Sequence, residues 1–132
     1  MDRTRFFIRV SAIYALIGAF IGSHMAGSGG YEFRAVHAHI LVVGWLSLFA
    51  FAIYYKVFQI PKTSKLATFH VWTAFIGSIG LTAGMWLYYV QPFAGSETFN
   101  LVFFIVGGSI LMISFFLFAI MTFVHGKFIT EE

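Results

Sequence analysis

Cysteine is absent from this 132-residue chain. That absence removes disulfides, thiolate metal sites, iron–sulfur clusters and covalent c-type haem attachment. Charge is scarce: 10% of residues are Asp, Glu, Lys or Arg, against about a quarter in a soluble domain. With 60% hydrophobic residues, the chain has too few polar groups to cover a soluble surface, so the composition predicts an integral membrane protein. The five acids (Asp2, Glu32, Glu97, Glu131 and Glu132) all lie outside the long apolar segments. Proton pumping usually draws on buried acids, and none is present here. Paired carboxylates, nucleophile–base arrangements and phosphate loops are also missing. Proline occurs twice, as Pro61 and Pro92, both times between apolar segments where its missing N–H costs nothing.

What is present is four apolar segments, roughly 6–26, 33–58, 66–90 and 99–124, each long enough for the ~20 residues of a spanning helix. The first has a basic start, as a signal peptide would. Three further segments follow it, so it is read as the first span. The expected fold is all-α: one four-helix membrane domain over residues 1–132. Arg3, Arg5, Arg9, Lys56, Lys62, Lys65 and Lys127 flank one side of the spans, and Arg34 alone flanks the other. The positive-inside rule then places both termini in the cytoplasm. The formal charge of +3 is therefore a topology signal and not a nucleic-acid patch. Gly18 with Gly22, and Gly80 with Gly84, form GxxxG pairs that allow close backbone approach.

The chemistry concentrates in the second span. His37 and His39 sit in an apolar run ending Val43, Gly44, Trp45. Ionisable groups inside a membrane are costly and functional by default. Two residues turn a helix through about 200°, so the two imidazoles leave on nearly opposite sides and cannot easily share one ion. Neutral imidazole ligates iron, copper and zinc, and a b-type haem needs axial histidines in an apolar slot. The competing reading is hydrogen bonding between helices. By depth, His24 is a third candidate ligand at the same end, and it lies beside the soft ligand Met25. Arg34 is placed to bind a haem propionate or to act as an interfacial anchor paired with Glu32. His70 falls at the opposite end and reads as a satisfied interfacial histidine, and His125 reads as an exposed helix end.

The run His37, Ala38, His39, followed by Gly44, Trp45, Tyr54 and Tyr55, resembles a short family of four-span bacterial proteins related to subunit I of haem-copper oxidases and nitric oxide reductases. The resemblance covers residues 14–58 best, weakens over the third span and fades over the fourth. In the large oxidases a His-x-His pair on one inward-running span ligates two haems. The resemblance therefore implies that His37 and His39 ligate haem b. It also implies a bacterial inner-membrane location and a homotrimer in which three four-helix copies rebuild twelve spans. His37 of one copy and His39 of the next would then grip one haem, since a heterologous interface closes into a ring when its rotation allows. The third span has no histidine near its outer end and there is no cross-linked His-Tyr motif, so the resemblance does not extend to a haem–copper centre.

The expected activity is electron transfer or binding of a diatomic gas, with an electron donor that the sequence does not identify. Whether the chain is an enzyme stays open. Two alternatives also remain at this point: copper or zinc binding through His24, His37 and His39, and an accessory role in a larger respiratory complex.

Overall fold

The computed structural model describes residues 1–130, and among them every regular element is a helix. Helix α1 is Arg3–Ser28, α2 is Arg34–Val57, α3 is Lys65–Val90 and α4 is Glu97–Val124. A short 3-10 turn, Gly126–Phe128, follows. All four helices are long and apolar enough to cross a membrane, as the hydropathy pattern predicts.

Local chemistry sets the boundaries. Asp2 caps α1 by accepting the Arg5 N–H at 2.9 Å, which starts the helix three residues earlier than the apolar run. Ser64 caps α3 through Ala67, and Ser96 caps α4 through Phe99. These side-chain oxygens satisfy N–H groups that have no partner within the helix. Helix α1 ends at Gly29, whose φ of 69° lets its N–H return to the Met25 carbonyl at 2.9 Å. A side chain there would strain that left-handed turn.

Two stretches depart from regular α geometry. Ile40–Ser47 and Trp86–Val90 are π-helical. In the first, the Ser47 hydroxyl donates to the Val42 carbonyl five residues back. In the second, the Leu87 carbonyl accepts from Asn100 Nδ2 of α4 at 3.1 Å. Each widened turn thus has a side chain tending one of its carbonyls. The first stretch mixes β-branched residues with Gly44 and Ser47, and the second is apolar and aromatic, a composition common to membrane helices of regular geometry.

The helices pack as two intimate pairs, α1 with α2 and α3 with α4. The second pair is a glycine seam. Gly77 faces the Leu111 backbone, Gly80 faces Gly107, and Gly84 faces Phe104. A methyl group on Gly80 would stand 2.8 Å from the Gly107 Cα. Lipid provides little hydrophobic drive between spans, so dispersion across such close backbones holds them together. In the first pair, Gly18 receives Leu41, Gly22 receives the His37 ring, and Gly44 receives the Tyr14 ring. Both GxxxG pairs therefore sit at helix–helix contacts. The Tyr14 hydroxyl joins the two pairs by donating to Ser78 Oγ at 3.1 Å, a bond worth about 0.6 kcal/mol in a membrane setting.

The start of α1, the end of α4 and the α2–α3 loop meet at one end. Arg3 donates to the carbonyls of Pro61, Lys62 and Ser64 and to Thr68 Oγ1, at 3.0–3.1 Å. Ser64 Oγ also meets His125 Nε2 at 3.1 Å. His125 is thus half-buried and tied to the cap of α3, not the exposed helix end that the sequence suggests.

Candidate functional site

His37 and His39 occupy the regular α-helical turn of α2 just before the π stretch, so the half-turn between them is retained. His37 lies on the flank that meets α1, with its Cε1 against the bare face of Gly22. Its Nδ1 is buried and has no hydrogen-bond partner. A buried polar atom left unpaired costs about 1–3 kcal/mol, and Tyr54 Oη and His70 Nε2 share that condition. His39 is half-exposed on the other flank. Its Nδ1 lies 2.9 Å from the Ala35 carbonyl. A carbonyl only accepts, so Nδ1 carries a proton, and Nε2 is the nitrogen left to offer a lone pair. That tautomer, fixed by a backbone carbonyl, is the one metal-ligating histidines usually adopt.

The other two candidates lie near this pair but are not gathered with it. His24 is exposed, and its ring meets Phe33 edge-on at 6.2 Å beside a small apolar hollow of about 190 Å³. The Arg34 guanidinium lies over the Tyr31 ring at 4.7 Å. It is not paired with Glu32; among the described residues the one ion pair joins Arg5 to Asp2. No three His, Cys, Asp or Glu side chains converge among the described residues of a single copy.

An apolar groove of about 560 Å³ runs between α1 and α3, over Val36 and Ile40 of α2. Tyr14 and Thr82 supply its few polar atoms, and no histidine lines it. The groove and the histidine pair are therefore separate features.

Sequence reasoning undervalued His70. It is 0% exposed at the end where α1 starts, and all four helices contribute to its surroundings. Phe7 comes from α1, Phe51 and Tyr55 from α2, and Phe118 from α4, with ring centroids 4.6–6.1 Å away. Its Nδ1 meets the Tyr55 hydroxyl at 2.8 Å, and the same hydroxyl donates to the Ala67 carbonyl at 3.2 Å. Met121 Sδ lies 3.7 Å from that oxygen, and His70 Nε2 has no partner. A signal was present: Ala67, Ala74, Gly77 and Ser78 share the helical face of His70 and are all buried, and such a small-residue stripe marks a contact face.

No protein-family model matches the chain, and neither curated proteins nor solved structures yield a match.

Proposed function

We propose that the protein is a b-type haem-binding membrane cytochrome in which haem lies between copies, held by His37 of one and His39 of the next. The observation that carries this reading is the pair's geometry. One imidazole rests against Gly22 on the α1 flank, the other has its Nδ1 tied to the Ala35 carbonyl, and they leave the helix on opposite flanks. The residues fit the group: neutral imidazoles are haem-iron ligands, and the run that carries them is apolar. Bound haem would supply a one-electron couple or a gas-binding iron. The chain's own part is to present Nε2 of His39, to position the His37 ring against Gly22 and to keep water away with apolar neighbours. Arg34, at the start of α2, would meet a propionate by exchanging its contact with Tyr31. The bacterial inner membrane and a homotrimer suit this arrangement, with an electron donor or a diatomic gas as the partner.

The test is optical. Full-length protein, expressed with ample haem and purified in detergent, should show a Soret band that His37→Ala and His39→Ala each abolish. Co-expression of the two variants under different tags should restore part of the band, because one mixed seam then carries both intact ligands. Colourless wild-type protein overturns the proposal. A band that survives both single variants overturns the ligand assignment.

A further inference from the structure

Arg3 is only 8% exposed, yet every acceptor it meets is a neutral oxygen: three loop carbonyls and the Thr68 hydroxyl. A buried charge is normally paired with an opposite one. Among the described residues, no carboxylate pairs with Arg3. Its Nη1 takes one acceptor, Nη2 shares three, and Nε takes none. With five N–H donors on the guanidinium, the Nε hydrogen and one on Nη1 are left over.

Arg3 also lines an open cleft of about 550 Å³ between the start of α1 and the α2–α3 loop. Lys62, Thr4, Gln59 and Tyr55 also line it, and the Lys62 side chain is exposed. Asp2 is the one acid on the wall. Its carboxylate is engaged by the Arg5 N–H at 2.9 Å and by Arg5 Nε at 3.7 Å. The cleft therefore presents two cationic side chains, Arg3 and Lys62, against one carboxylate, Asp2, which Arg5 engages and whose charge Lys62 also feels.

We infer that this cleft is an anion site that takes a phosphate group. A guanidinium with spare donors and a flexible ammonium suit phosphate oxygens. The site lies at a helix end where a spanning protein meets the headgroup layer, and basic pockets at such ends bind acidic headgroups. The phosphate would complete the charge balance of Arg3 and so brace the clamp that joins α1 to the α2–α3 loop. This inference is independent of haem.

The test uses the full-length protein in detergent, titrated separately with short-chain phosphatidylglycerol, short-chain phosphatidylcholine and inorganic phosphate. Binding is read by thermal unfolding and by native mass spectrometry. Phosphatidylglycerol should bind and raise the unfolding temperature, and phosphatidylcholine should bind more weakly. Lys62→Gln, an exposed change that spares the clamp, should weaken phosphatidylglycerol binding about fivefold, the equivalent of one surface cation. If inorganic phosphate alone stabilises the protein as well, a soluble phosphate is the ligand; if it does not, a lipid headgroup is. No binding of either anion to wild type, or equal binding of both lipids with no effect of Lys62→Gln, overturns the inference.

Discussion

The Tyr55 hydroxyl lies 2.8 Å from His70 Nδ1, and that bond joins α2 to α3 at a point where rings from α1 and α4 also converge. Tyr55→Phe would leave the buried Nδ1 unpaired, at a cost of about 1–3 kcal/mol. Tyr55→Phe with His70→Leu should recover much of that loss, since removing both partners is far cheaper than orphaning one. Denaturant titration of the purified variants, followed by circular dichroism, measures both. A double variant no more stable than Tyr55→Phe would show that the imidazole does more than pair with the phenol.

The α3–α4 seam makes a second prediction. Gly77→Leu places a branched side chain against the Leu111 backbone, which cannot yield as a side-chain tip would. Overpacking of this kind costs about 1–3 kcal/mol or more. Gly95→Ala, where an added methyl meets nothing within 4 Å, should be silent in the same unfolding measurement.

Gly22 offers a more specific test of the histidine pair. A Cβ there would stand 2.8 Å from His37 Cε1, so Gly22→Val should displace the imidazole and leave the rest of the fold standing. If His37 holds haem, retention should weaken about 10–100-fold, the usual penalty for disturbing a ligand's support. Haem titration followed at the Soret band gives the number. Gly27→Val, in open space, is the matched control.

The α1 cap should respond to pH. The Asp2 carboxyl lies below the ordinary aspartate value, chiefly because the Arg5 backbone N–H donates to it. A carboxyl depressed on folding stabilises fully above its unfolded value of about 3.9, and that support is lost as pH falls through the lower folded value. Protection of the Arg5 amide, measured against its intrinsic exchange rate at each pH, should therefore fall only in acid. In Asp2→Asn that acid-dependent step should vanish.

Much of the architecture was legible in the residues. Hydropathy placed the four helices to within a few positions, and Pro61 and Pro92 marked two of the breaks. The half-turn between His37 and His39 followed from helix geometry alone. Other features depended on three-dimensional context. Arg3 looked like a topology charge because nothing local shows that the α2–α3 loop folds back over it. His70 looked interfacial because its depth was counted along its own helix, whereas its burial comes from Phe7, Phe51 and Phe118 on the other three. His125 drew its partner from a cap 61 residues away. The widened turn after His39 left no trace in residue type.

That widened turn acts as a phase adjuster along α2. Deleting one residue from Ile40–Ser47 would let the turn close to an ordinary helix with the phase kept, whereas winding the same residues as an ordinary helix would swing everything above by about 100° relative to everything below. With Tyr55 still anchored on His70, both imidazoles would then aim a quarter-turn away from their present directions, and His37 would lose its seat on Gly22. The alignment between the two histidine regions thus hangs on one supernumerary position in an otherwise unremarkable hydrophobic run.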